Sequence, residues 1–285
     1  MGVALITPFK EDGSVDYDAL LRLVDYQLQN NTDFLCVLGT TAETPTLSDE
    51  EKKQVKKLVI ERVNGRIPIL LGVGGNCTQA VVDTLKNDDF TGVDAILSVV
   101  PYYNKPSQQG LIEHFGLIAR SVDLPIILYN IPSRTGVTMQ PATVAYLANT
   151  YENIVGLKQS YGNMDAVTEL KSVCPNDFAI YSGDDSLTLP MLALGAHGVI
   201  SVASHLFGKE IKSMIRNFKT GDAMTAKNMH LKLYPIFKKL FMAPNPVPVK
   251  AALAYKEIIE DYVRRPLVEL TKAEKADLIF TLDSI

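Results

Sequence analysis

The chain has 285 residues, 47% hydrophobic and 21% charged, a globular composition long enough for one large α/β domain plus a smaller appendage. Lys and Arg number 28 against 32 Asp and Glu, a formal net charge of −4, which offers no basic surface to nucleic acid or an anionic membrane. Apolar runs fall short of a membrane span and the chain opens into a strand-like run rather than a basic, then greasy, leader, so a cytoplasmic location is expected.

Short apolar, β-branched runs recur at residues 3–7, 34–38, 67–71, 95–100, 125–129, 154–158, 179–182 and 198–202. Segments with helical periodicity separate them, among them 16–28, 49–63, 109–122, 140–149, 165–173 and 208–218. Eight strand–helix alternations predict an α/β fold, a closed (β/α)8 TIM barrel, over residues 1–220. An open doubly wound sheet would normally carry Gly-x-Gly-x-x-Gly after its first strand, and none is present. Beyond about residue 220 the strand signal stops. Residues 222–241 and 249–263 read as helices joined by a proline-rich stretch, 243–248, so residues 221–285 are expected to form a small C-terminal helical domain with a stiff joint.

In such barrels chemistry sits at the carboxyl ends of the strands. The second strand runs into Gly39-Thr40-Thr41-Ala42-Glu43, and the fourth into Pro101-Tyr102-Tyr103-Asn104-Lys105-Pro106. The fifth ends in Tyr129-Asn130-Ile131-Pro132-Ser133-Arg134-Thr135-Gly136, the sixth in Lys158, and the seventh in Ser182-Gly183-Asp184-Asp185. Each has an ordinary structural reading. Thr40 and Thr41 could cap a turn, Tyr102 and Tyr103 could be rim aromatics, and Tyr129 a core residue. Arg134 could pair with a surface carboxylate, Gly183 could only turn the chain, Gly72-Val73-Gly74-Gly75 could be a tight turn, and Lys158 could snorkel to solvent.

Taken together they point to imine chemistry. A lysine ending a strand buried on both faces is desolvated, which favours the neutral, nucleophilic amine. Attack on a ketone gives a carbinolamine, then an iminium, then an enamine that is a carbon nucleophile. Each step moves a proton, which suits a relay of hydroxyls such as Tyr129, Thr41 and Tyr103. Arg134 offers a planar fork to a carboxylate, and Thr40 and Thr41 could hold a keto-acid carboxylate beside the imine. The histidines lack metal-binding spacing, and the cysteines, Cys36, Cys77 and Cys174, form neither a disulfide nor a zinc pattern. Each cysteine is expected as a buried small hydrophobe, and no cofactor or metal is expected.

These motifs, with Gly156-Leu157-Lys158 and Gly198-Val199-Ile200-Ser201, resemble the dihydrodipicolinate synthase / N-acetylneuraminate lyase family over essentially the whole chain. Asn245-Pro246-Val247-Pro248-Val249-Lys250 is similar to a tail motif of the synthase branch. The resemblance implies a class I aldolase mechanism with no cofactor, in which Lys158 forms a Schiff base with pyruvate. It assigns proton relay to Tyr129, Thr41 and Tyr103, the last from a neighbouring subunit, and gives main-chain atoms around Gly183 and Ile200 to the pocket. Arg134 would receive the carboxylate of L-aspartate 4-semialdehyde, favouring the synthase branch, on the route to lysine and diaminopimelate, over a sialic-acid or sugar-acid lyase. A homotetramer is implied. Ala42 stands where the family usually has glycine. Lys52 and Ala80 replace the histidine and glutamate of lysine-inhibited members, so weak or absent feedback by lysine is expected.

Overall fold

Runs of three to six apolar residues cannot satisfy their own backbone groups, so each must pair on both sides or be left with buried, unsatisfied amides. In the computed structural model, which describes residues 1–285, they do so as eight strands. These are β1 Gly2–Ala4, β2 Phe34–Val37, β3 Ile69–Gly72, β4 Ala95–Val99, β5 Ile126–Asn130, β6 Ile154–Gln159, β7 Ala179–Ser182 and β8 Gly198–Ser201. They follow one another in sequence order as a closed barrel. The pairing is parallel, with Val3 opposite Leu35, Val99 opposite Tyr129, and Lys158 between Tyr129 and Tyr181. Parallel pairing sends the carboxyl ends of neighbouring strands from β4 to β8 to one side. The first strand is shorter than the expected 3–7, although the Leu5 amide still donates to the Cys36 carbonyl at 2.9 Å.

The crossover helices begin where local chemistry satisfies their free amides. Asp49–Val63 opens with a reciprocal capping box between Ser48 and Glu51, and Gln108–Ala119 opens on the Ser107 hydroxyl, each cap contributing about 1 kcal/mol. The helix expected over 208–218 runs on to Lys219, and a kink at Phe207, with φ −118° and ψ 32°, separates it from a short turn that begins at Ser204. No helix is long and apolar enough to cross a membrane.

The C-terminal segment is helical, with two differences from expectation. Ala223–Lys239 precedes the proline-rich stretch, and Val247–Tyr255 begins inside it at Val247 and stops eight residues short of the expected 263. Glu257 then takes a left-handed φ of 56°. A further helix, Lys272–Asp283, closes the chain behind a Thr271–Glu274 capping box that the sequence had displayed.

The chain divides into two compact units, Met1–Ile69 with Ser201–Ile285, and Leu70–Ile200. The first is built on fully buried Leu20, Leu23, Val59, Ile211 and Phe237, the second on Ile96, Leu111, Phe115 and Ile126. In the first unit the imidazole of His205 is wholly buried. Its Nδ1 lies 2.9 Å from the Val202 carbonyl, and its Nε2 accepts from the Ile6 amide at 3.3 Å. Those partners require the neutral ring, and burial lowers its pKa to about 4. Of the cysteines only Cys36 is buried; Cys77 is exposed and Cys174 half-buried, so the buried role fails for Cys77.

Candidate active site

The unit Leu70–Ile200 holds the lysine. Gly156 lets strands β6 and β7 approach closely, since a Cβ there would lie 2.6 Å from the Ala179 carbonyl oxygen. Two residues on, Lys158 is 5% exposed, so it does not snorkel to solvent. Its Nζ lies 4.5 Å from the centre of the Tyr129 ring, itself buried, and no carboxylate pairs with it. Alternation along the strand turns Gln159 to the other face. There its Oε1 accepts from Asn130 Nδ2 at 2.9 Å, which locks the ends of β5 and β6 together. Ser160 returns to the face of Lys158. Its Oγ is buried without a hydrogen-bond partner. Gly183, just beyond β7, explains how it fits: a Cβ there would fall 1.8 Å from Ser160 Oγ and 3.1 Å from Lys158 Cε. Gly183 is therefore required for room, not for turning the chain.

Other residues of this unit lie on loops beyond the strands. Pro132–Thr135 forms one helical turn that ends at Gly136, whose φ of 71° suits glycine. Arg134 on that turn is exposed and has no carboxylate partner, so the surface ion pair considered for it is not made. Tyr103 is 89% exposed. Its φ is 75° and that of Lys105 is 47°, conformations that cost a non-glycine residue about 1–3 kcal/mol. Ile200 is fully buried on β8. Gly74 packs its Cα against β4, where a Cβ would meet the Val99 nitrogen at 2.8 Å, so this glycine is needed for close approach.

The other unit holds the threonines. Thr40–Ala42 form a single 3-10 turn followed by Glu43 at φ 54°. Ala42 is buried and lies outside the left-handed region, so alanine in place of glycine causes no strain. Neither threonine caps a helix. Thr40 is half-buried. Thr41 is buried, and its Oγ1 accepts from Asn245 Nδ2 at 2.9 Å, across 204 residues of sequence. With that lone pair engaged, the threonine's own proton is free to be donated elsewhere. Glu43 ion-pairs with Lys250 at 2.5 Å, both fully buried. Lys250 Nζ also donates to the Tyr262 carbonyl at 2.9 Å and sits 4.0 Å from the Phe9 ring centre. Burial lowers its pKa to about 8 against the opposing pull of Glu43. Arg264 completes the cluster, its amide donating to Glu43 at 3.0 Å and its guanidinium to Glu51 and to the Thr46 carbonyl. The tail motif around Asn245 and Lys250 was visible in the sequence, but its partners, Thr41 and Glu43, were not. Ser160 escaped notice altogether; its alternation with Lys158 was the only available signal.

A buried amine without a counter-ion, beside a phenol, can add to a small carbonyl compound. Comparison with known proteins shows what the whole chain resembles. A curated 4-hydroxy-tetrahydrodipicolinate synthase from Phocaeicola vulgatus is 57% identical over 277 residues, 96% of this chain and 93% of the relative. The crystal structure of dihydrodipicolinate synthase from Aquifex aeolicus has 46% sequence identity and a TM-score of 0.96, covering 99% of this chain and 96% of that one. The enzyme from Cyanidioschyzon merolae, solved with lysine bound, has 40% identity and a TM-score of 0.96 over 99% of this chain and 96% of that one. The family model for the dihydrodipicolinate synthetase family matches residues 1–285, and the chain belongs to that family.

Proposed function

We infer that the chain is a lyase that condenses pyruvate with L-aspartate 4-semialdehyde, the activity of a 4-hydroxy-tetrahydrodipicolinate synthase, supplying lysine and diaminopimelate biosynthesis in the cytoplasm. Relatives of that name across nearly the whole chain support the activity. The observation that carries the mechanism is Lys158, buried near the end of β6 with no carboxylate beside it. Its amine nitrogen adds to C2 of pyruvate, water leaves, and the iminium loses a proton from C3. The resulting enamine attacks the aldehyde, and the substrate amine then displaces Lys158 as the ring closes. Tyr129, Thr41 and Tyr103 relay protons. Thr40 and Thr41 hold the pyruvate carboxylate, main-chain atoms around Gly183 and Ile200 line the pocket, and Arg134, lacking a carboxylate in its own chain, takes that of the semialdehyde. Tyr103 acts in a neighbouring subunit, in keeping with its exposure and left-handed backbone, so at least a dimer is needed and a homotetramer is the proposed assembly.

Borohydride reduction in pyruvate tests this directly. A reduced pyruvyl adduct on Lys158, seen by peptide mass spectrometry, is expected, and its absence would end the imine reading. Turnover on aspartate semialdehyde but not on N-acetylneuraminate separates the synthase from the lyases of the same fold.

A further inference from the structure

Strand β6 runs between β5 and β7, so Lys158 has a neighbour on each side. Tyr129 on β5 is its register partner and supplies a phenol. On the β7 side stands Ser160, two residues beyond Lys158 and on the same face of the strand. Its amide is satisfied by the Asn130 carbonyl at 2.9 Å, but its hydroxyl is buried and has no partner in the chain. Buried hydroxyls are normally satisfied. A Cβ at position 183 would strike both Ser160 Oγ, at 1.8 Å, and Lys158 Cε, at 3.1 Å. The two side chains thus share one wall, and that wall admits the hydroxyl only because residue 183 is glycine.

We propose that the Ser160 hydroxyl donates a hydrogen bond to the oxygen on C2 of the keto acid while Lys158 adds to it, an inference that rests on the imine reading above. As the Nζ–C2 bond forms, the carbonyl electron pair moves to oxygen, which takes the proton given up by nitrogen. The carbinolamine hydroxyl then leaves as water after receiving one relayed proton, while the nitrogen lone pair closes the C=N bond. That proton is returned when C3 is deprotonated to the enamine. Ser160 steadies the oxygen through both steps and is not consumed.

The test is rapid-quench borohydride trapping with pyruvate on the intact enzyme, comparing wild type, Ser160→Ala and Ser160→Cys, with Tm measured in parallel. Wild type is expected to trap the adduct, and both variants to trap it about tenfold more slowly, the loss of roughly one hydrogen bond. Because the imine forms before the semialdehyde is used, kcat/KM for pyruvate should fall while that for the semialdehyde holds. A disturbed fold would lower both. Tm should not drop in the alanine variant, since the lost hydroxyl has no partner. If wild type traps no adduct, the imine reading itself is lost. If wild type traps and either variant keeps the wild-type rate, or both substrates suffer alike, the assignment to Ser160 is overturned.

Discussion

Two lysines of this chain are buried to nearly the same degree and meet opposite surroundings. Lys250, on the helix Val247–Tyr255, gives its ammonium a carboxylate at 2.5 Å, a carbonyl at 2.9 Å and the face of Phe9. Lys158, on a strand, has the Tyr129 ring and the Ser160 side chain near it but no carboxylate. Burial alone does not make a lysine a nucleophile. A buried amine whose donors are all engaged holds two segments together, whereas one left without a counter-ion is available for chemistry.

The comparison breaks most visibly at Lys158 itself. Lys158→Ala is expected to remove the trapped adduct and lower kcat by at least about a thousandfold, while Tm by calorimetry holds or rises. Lys250→Ala should invert that result. It strands the Glu43 carboxylate in the core and is expected to cost about 3–5 kcal/mol in urea unfolding, yet the remaining folded enzyme should still trap pyruvate. Equal loss of trapping in both variants would erase the distinction.

A third buried base sharpens it further. His205 stays neutral in the fold with a pKa of about 4, whereas in the unfolded chain it binds a proton near the ordinary histidine value of 6.5. Stability is therefore lost as pH falls through about 6.5 towards 4, by up to about 3 kcal/mol. Urea midpoints measured at pH 7 and pH 4.5 should show the drop, and His205→Gln should reduce it. Asn245→Ala removes the donor to Thr41 Oγ1 and is expected to lower kcat about tenfold with little change in Tm; an unchanged kcat would show that the Thr41 hydroxyl needs no such support. The smallest effect concerns lysine, which a relative holds in its crystal structure. With Lys52 paired to Asp49 at 3.1 Å and alanine at position 80, inhibition in a steady-state assay is expected to be weak or absent, and a sub-millimolar inhibition constant would refute that.

Much of this molecule was legible in one dimension. The strands fall within a few residues of their expected places, because parallel strands buried on both faces must be short, apolar and β-branched. The last helix, Lys272–Asp283, was missed because its apolar residues cluster as Leu278, Ile279, Phe280 and Leu282 rather than recurring at helical spacing, although its capping box was readable. The segment 256–263 was misread for a different reason. Its Ile259 and Val263 are buried, but the chain there runs to Arg264, whose amide and guanidinium are tied to Glu43 and Glu51 more than 200 residues earlier.

The linear order of residues by itself determined the repeating strand–helix unit, the placing of Lys158 at a strand end, and the family, because each of these is written in local periodicity and contiguous motifs. Only the tertiary structure decided which buried lysine would be neutralised by Glu43, which amide would hold the Thr41 hydroxyl, and that Gly183 would leave space for Ser160. Those outcomes depend on groups far apart in the chain meeting at distances of a few ångströms, where desolvation and hydrogen bonding act, and residue spacing carries no record of such meetings.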